Sequence, residues 1–426
     1  MRILLLGAGG FIGRQIMAEL LAHGHDLVAV VRRVAGLDAM FPAARFVTLD
    51  LARATGPADW APHLPGIDLV INCAGILRGR DMVPVHVDMP RALYAAAREA
   101  GVKRVVLISA ISARPDVATD YAQAKLAGEA ALRDSGLGWT ILRPSLVYGD
   151  GSYGGTSLVR GLAGLPLVLP VPGDGHFPFT PIHVRDLARA IRVVCETTRF
   201  DGQTLDPTGP ETLNLRALLL RYRGWLGFAH PVVLPVPMPV MHGLARLGDL
   251  LGSGPISSNS LEQMVAGNAG DGEAFARAIG FAPRSLGDAL RDHPAQVQDR
   301  WHARLYFLAP LLRVMLLMMW LASVWLGLCY GHDPAAQVVR GLGLGAAWAD
   351  PLRWSGSLLD LALAIWLLLD RTGRSVTLAQ CVVILGYTLV IGVAVPALWL
   401  DPYGALLKNL PVLGAVLVYG AIADRR

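Results

Sequence analysis

The sequence predicts an α/β domain, a Rossmann-type doubly wound parallel sheet with a smaller substrate lobe. An all-α four-helix transmembrane bundle follows it. Three observations predict this. Short apolar runs alternate with helical stretches as far as Leu142. Three glycines stand at the first strand–helix junction. Charge then thins abruptly: Trp301 to Arg426 holds 9 Lys/Arg, 6 Asp and no Glu, against 56 charged residues in the first 300.

The elements follow in order. Arg2 to Leu6 reads as the first strand and runs into Gly7-Ala8-Gly9-Gly10-Phe11-Ile12-Gly13. A helix follows over Phe11 to His23, then strands over Asp26–Val31, Arg45–Leu49 and Ile67–Ile71. Residues 85–100 are Ala-rich and helical. Lys103–Ile108 is a fifth strand, 118–135 a helix and Trp139–Leu142 a sixth strand. Gly and Pro become dense from Gly149 to Pro181. Residues 182–295 read as helices with few strands. The predicted domains are therefore 1–295, with the substrate lobe mainly from 150 onward, and 296–426. Two Pro-rich apolar stretches in the lobe, Leu165–Pro172 and Val232–Val240, suit either a hydrophobic ligand or packed loops.

Composition narrows the class. The chain has 426 residues, is 53% hydrophobic and 17% charged, and has a mean hydropathy of +0.45. These values exclude a disordered chain, a collagen-like repeat and a small disulfide scaffold. The first 300 residues are nearly balanced, with 29 Lys/Arg and 27 Asp/Glu, and lack the basic block that nucleic acid requires. Four cysteines (Cys73, Cys195, Cys329, Cys381) lack metal or redox spacing, which predicts buried thiols in a reducing compartment and no metal site. Met1 to Leu6 is too short for the apolar core of a signal peptide.

The tail predicts four spans near 314–331, 353–370, 375–400 and 405–423, set against the roughly 20 residues a spanning helix needs. Four crossings put Arg300, Arg304, Arg371, Arg374, Arg425 and Arg426 on one side, and Arg340, Arg353 and Lys408 on the other. The excess of cations on the inner side predicts a multi-pass protein of the cell inner membrane, with the Rossmann domain and both termini cytoplasmic. Asp360 and Arg313 fall at membrane depth and need partners or water; Asp360 is expected to pair with Arg313 or Lys408.

The chemistry concentrates in the first half. Gly7, Gly10 and Gly13 allow a tight turn and close backbone approach, with the helix N–H groups facing a pyrophosphate. After the second strand an acidic residue would hold the ribose hydroxyl of NAD. Arg32 and Arg33 stand there instead and suit the 2′-phosphate of NADP, with NAD possible. Asp50 either contacts the adenine or caps the next turn. Tyr121 and Lys125 are the sharpest pair. Only three lysines occur beside 35 arginines, and chance places a Tyr-x-x-x-Lys pair roughly 0.07 times. That spacing puts both side chains on one helix face. A neighbouring ammonium is expected to lower the phenol's pKa and make Tyr121 a general acid/base. Ser109, at the end of the fifth strand, is expected to hydrogen-bond the substrate oxygen; Ser112 is the alternative.

These stretches resemble the short-chain dehydrogenase/reductase superfamily. The matching segments are GAGGFIG (7–13), NCAG (72–75), VVLISA (105–110), YAQAK (121–125), LRPSLVYG (142–149) and PIHVRDLA (181–188). The last two look like the extended and atypical branches, near the NAD(P)-dependent epimerases and dehydratases. With GPETL (209–213), the set is most similar to the atypical group that includes the NAD(P)H-binding accessory subunit of respiratory complex I. The resemblance covers about residues 1–290, and departs at Gly9, where the family commonly has Thr. Carried onto the matching positions, it implies cofactor contacts from Phe11, Ile12, Ala74, Gly75, Lys125 and Pro144. The tail resembles the DoxX-like membrane family, through four spans, Asp360 in the second and DPYGALLKNLP (401–411).

Together these readings predict a membrane-tethered, NADP(H)-dependent oxidoreductase acting on the carbonyl or alcohol of a lipophilic small molecule. A second reading, from the accessory-subunit resemblance, is a nucleotide-binding scaffold with protein partners in a membrane complex. A third is an epimerase or dehydratase that retains its NAD(P).

Overall fold

The computed structural model describes residues 1–151, 153–251, 257–370 and 372–423, in two compact units, Met1–Arg300 and Trp301–Arg426. In the first, seven strands form one parallel sheet: β1 (Arg2–Leu6), β2 (Asp26–Val31), β3 (Arg45–Thr48), β4 (Leu69–Asn72), β5 (Arg104–Ile108), β6 (Gly138–Leu142) and β7 (Gln203–Leu205). Their spatial order is β7-β6-β5-β4-β1-β2-β3. The strand β7 was not apparent in the sequence, because its three residues are half-exposed or exposed and carry no apolar run. It forms only because β6 offers its edge, pairing Gln203 with Thr140 and Leu205 with Leu142.

Alternating side chains build a core on each face of the sheet. Ile3, Leu5 and Ala29 pack on one face against α1 (Phe11–Ala22) and the helix Val184–Cys195. Leu4, Leu6 and Val30 pack on the other against α2 (Met89–Glu99). A further helix, α3 (Asp120–Arg133), starts at Thr119, whose hydroxyl accepts from the Ala122 amide. The chain leaves β1 toward β2 and β3, then returns to the other side of β1 as β4. The helices that follow β1 and β4 therefore cover opposite faces, which opens a crevice at the carboxyl ends of the strands.

In the lobe, the two Pro-rich apolar stretches pair with each other. Val168–Pro172 runs parallel to Val232–Val236, and the latter leads through Pro237 into a helix, Met238–Leu251.

The second unit is helical. Among the described residues, three helices are long and apolar enough to cross a membrane: Val297–Tyr330, Ala346–Leu369 and Arg374–Ala394. The third ends before Pro396, short of the expected 400, because proline cannot extend a helix with a hydrogen bond. The expected fourth span, 405–423, is a shorter helix, Asn409–Ile422, since the Asp401–Gly404 turn precedes it. Asp360 pairs with neither Arg313 nor Lys408. Its oxygens accept hydrogen bonds from Ser323 Oγ (2.5 Å) and Tyr387 Oη (2.9 Å). Arg313 instead donates to the carbonyls of Leu367, Leu368 and Asp370, the acceptors left free at a helix end. Arg371, Arg425 and Arg426 lie outside the described residues. Of the thiols expected to be buried, Cys195 is, Cys73 and Cys381 are half-buried, and Cys329 is exposed on a helix with little protein around it.

Candidate active site

The glycine turn is shaped by close approach. Gly7 has φ +74°, and a Cβ there would lie 2.8 Å from the Cys73 carbonyl oxygen. A Cβ on Gly13 would lie 2.2 Å from the Gly7 oxygen, so the first turn of α1 sits directly on the loop. Gly10 caps α1 with no side chain and donates its own amide to Gly7. The amides of the first turn therefore keep the donors that an anion requires. Phe11 is half-buried and stacks on Tyr153 at 5.9 Å; Ile12 packs against the core.

Arg32 and Arg33 follow β2 and are exposed; among the described residues neither has a hydrogen bond or ion pair. Asp50 is exposed and caps a turn: its Oδ1 accepts from the Ala52 amide at 3.2 Å, and Arg53 lies at 3.5 Å. Of the two roles open to Asp50, this geometry is the capping one. Ala74 is buried, with its amide on Asn72 Oδ1, and Gly75 is exposed. Pro144 is buried, and its carbonyl accepts from Ile111.

Tyr121 and Lys125 come together on α3, with the Lys125 ammonium 5.8 Å from the Tyr121 ring centroid. Lys125 is buried and donates to the Ile108 carbonyl at the end of β5 (3.0 Å). A Cβ on Gly75 would lie 3.3 Å from Lys125 Nζ and from His86 Cε1. The loops after β4 and β5 thus meet at this pair.

Two expectations are corrected. Tyr121 was expected below the usual phenol range. Burial, reinforced by Cys73, pushes it above that range, and the ammonium over its ring gives its hydrogen bond to a backbone carbonyl. Burial in turn pulls Lys125 down to about 8, with Cys73 and Glu129 opposing. Ser109 was expected to offer its hydroxyl to substrate. Its proton goes to Glu129 Oε1 at 2.6 Å, because that carboxylate is fully buried beneath the strand end and has to be satisfied by donors within the protein. Ser112, the alternative, is also buried.

Sequence reasoning missed two groups. Glu129 also accepts from Arg143 Nε (2.8 Å) and Nη2 (2.7 Å) and from Arg133 (2.9 Å). Burial alone would raise its pKa, but hydrogen bonds from Arg143 and Ser109, with the Arg143 charge, hold it below the carboxylate range. The signal for it was its place four residues after Lys125 and four before Arg133. His86 sits in a π-helical turn, Pro84–Asp88, edge-on to Tyr121 with centroids 5.6 Å apart. Its Nε2 lies 2.9 Å from the Ile76 carbonyl. Burial, then the Lys125 charge, push it down to about 3, so the imidazole is neutral. A single histidine in an apolar run carries no signal for this.

Comparison with known proteins follows this division. Residues 7–163 match the family described as NAD(P)H-binding, and residues 317–417 match the DoxX-like family. The chain therefore carries an NAD(P)H-binding segment followed by a DoxX-like segment. The ceramide reductase of Caulobacter vibrioides is 32% identical over 202 residues, 46% of this chain and 61% of that protein, so the match spans less than two thirds of that relative. Sterol demethylase protein B of Methylococcus capsulatus is 27% identical over 341 residues, 70% of this chain and 99% of that protein. The mouse mitochondrial NADH dehydrogenase (ubiquinone) 1 alpha subcomplex subunit 9 is 26% identical over 59% of this chain and 67% of its own length. A UDP-glucuronic acid 4-epimerase from Bacillus cereus, solved with UDP-glucuronic acid and NAD, shares the fold. Its TM-score is 0.53 at 19% identity, over 69% of this chain and 98% of that one.

Proposed function

We propose that the protein is a membrane-tethered, NADP(H)-dependent reductase of a lipophilic carbonyl compound, with Tyr121 as its proton donor. One observation carries the reading: Tyr121 and Lys125 sit together at the carboxyl ends of the strands, against the loop that closes on the glycine turn. The turn fits a dinucleotide, because the space a Cβ would fill at Gly7 and Gly13 is taken by backbone, and the α1 amides carry no side-chain cap. Gly7, Gly10, Phe11, Ile12 and Gly13 would hold the pyrophosphate side, with Ala74, Gly75 and Pro144 lining the nicotinamide side. The unpaired guanidinium groups of Arg32 and Arg33 favour a 2′-phosphate over a bare ribose.

NADP(H), when bound, supplies the hydride to a carbonyl carbon. Tyr121 gives its phenolic proton to the carbonyl oxygen, and its raised pKa keeps that proton in place until charge develops there. Lys125 offers its remaining donors to ribose hydroxyls and favours the phenolate that Tyr121 leaves. Neutral His86 buttresses the Tyr121 ring, and Ser109 acts through Glu129 by fixing the end of β5. The lipophilic substrate class is supported by the names of two relatives, a ceramide reductase and a sterol demethylase protein. The protein would sit in the cell inner membrane with the nucleotide unit cytoplasmic.

Tyr121→Phe should abolish NADPH-dependent reduction while leaving nucleotide affinity within a factor of about two, since the phenyl ring fills the same space. Unchanged turnover would remove the mechanism. The mouse subunit favours a second reading, a nucleotide-stabilised scaffold with protein partners. Under it, Gly13→Val disrupts assembly and Tyr121→Phe changes nothing. A third, hydride-recycling epimerase or dehydratase reading requires nucleotide that stays bound through turnover; exchange with added NADPH within seconds counts against it.

A further inference from the structure

The nucleotide unit carries an apolar surface that neither its core nor its site uses. Among the described residues 1–300, eight of the fifteen exposed large apolar side chains fall in two short segments, 165–172 and 232–251. The other seven are scattered. In the first part of this surface, Val168 pairs with Val232, and Leu234 lies two residues on along the same strand. Leu169 and Val171 point inward and are buried, so the apolar face opposite them is a second one, without a core of its own.

The helix Met238–Leu251 extends this face. Its exposed apolar residues are Val240, Leu244, Leu247 and Leu250, at helical spacing on one side. Its buried contact is made by a small residue, Ala245. Met238 and Met241 are half-buried on that same inward side, so the helix is apolar on both faces and its larger aliphatic side chains are left uncovered. Arg246 flanks the stripe and is itself exposed. Patches of this kind mark an interaction site. The occupant with the strongest claim is lipid, since the same chain bears three helices able to cross a bilayer, which keeps a bilayer within reach of this unit at all times.

We propose that this strand-and-helix face is a bilayer-docking surface of the nucleotide unit, with the leucine stripe lying in the interfacial plane. A stripe of this size seats about 5–10 Å into the headgroup boundary, and an arginine at its edge reaches outward to lipid phosphates. The surface would hold the unit flat against the membrane from which a lipophilic substrate would come. The docking itself does not depend on turnover.

The test uses the full chain with Cys329→Ser and Cys381→Ser, leaving Cys73 and Cys195 in place. Leu244→Cys carries a polarity-sensitive fluorophore, and Glu99→Cys carries the same label on an exposed helix end elsewhere in the unit. Each protein is placed in phosphatidylcholine–phosphatidylglycerol nanodiscs at one chain per disc. Lipid bearing a nitroxide near the headgroup end of its acyl chain, and aqueous iodide, serve as the two quenchers. The proposal expects the label at 244 to be quenched by the lipid nitroxide and shielded from iodide, and the label at 99 to behave the opposite way. A label at 244 as open to iodide as that at 99 overturns the proposal. Shielding from iodide without lipid quenching also overturns it, and assigns the face to protein. Shielding that appears only when two chains share a disc assigns it to a second copy and overturns it as well. None of these readings uses activity, so failure here leaves the reductase reading to its own test.

Discussion

Glu129 in the nucleotide unit and Asp360 in the helical unit are both buried carboxylates, kept by opposite means. Glu129 is surrounded by donors that bring charge, Arg143 and Arg133, with Ser109 completing the set. Asp360 receives only hydroxyl protons, from Ser323 and Tyr387. In the nucleotide unit the guanidinium groups keep part of their surface in water, so the ion pair is not fully desolvated. Between helices long and apolar enough to cross a membrane every added charge would have to be desolvated too, and neutral donors are the cheaper partners. The same net requirement, a satisfied buried oxygen, is met by cations where water is near and by hydroxyls where it is not.

Substitutions can break this comparison. Glu129→Gln should cost the most, about 3–5 kcal/mol, because it strips the counter-charge from the half-buried Arg143 and from Arg133, and one acceptor from Ser109. The thermal midpoint of the nucleotide unit in detergent reports it, and a shift as small as that of an ordinary surface change would refute the role of charge.

Lys125 sharpens the contrast, being a buried cation held by a carbonyl. Its folded pKa, about 8, lies below the ordinary 10.5, so between those values the unfolded chain binds more protons. The penalty of burying it is full below pH 8 and gone above about 10.5, a gain of about 3 kcal/mol with rising pH. Lys125→Met should lack this gain. The difference in midpoint between it and the natural chain should shrink or reverse on raising the pH through that window. Burial raises the Cys73 thiol to about 12, an opposing trend that a Cys73→Ser background removes from both proteins.

A smaller effect is expected at the exposed end of the site. Arg32→Ser with Arg33→Ser should weaken NADPH binding about 10–100-fold, the loss of charge-assisted bonds worth about 1.5–3 kcal/mol, and leave NADH binding unchanged. Equal loss for both nucleotides would point to a general effect on the loop. Asp360→Asn should be mildest, about 1 kcal/mol or less, since the amide keeps one acceptor for the two hydroxyls. A cost matching that of Glu129→Gln would show that two hydroxyls hold Asp360 as firmly as the guanidinium groups hold Glu129.

What could be read in advance was local. The strands β1 and β2 end where the sequence places them, since each is an unbroken apolar run closed by glycine or arginine. The Tyr121/Lys125 pair could be read because four residues on a helix impose one face. Glu129 could not, because its meaning comes from Arg143, a strand away, and from Ser109 at the end of another. The phenol's direction of titration was misread for the same reason. Proximity along the helix suggested a charge effect, and the desolvation that outweighs it depends on everything packed around the ring.

By itself the sequence determined the layered parallel sheet, the glycine turn and the apolar tail, each set by periodicity or by steric limits within a few residues. Only the tertiary structure decided which buried polar groups share protons, which edge recruits Gln203–Leu205, and which apolar residues of the lobe remain uncovered. Those outcomes depend on desolvation and on pairing between distant segments, and the free energy of both belongs to the packed chain rather than to any stretch of it.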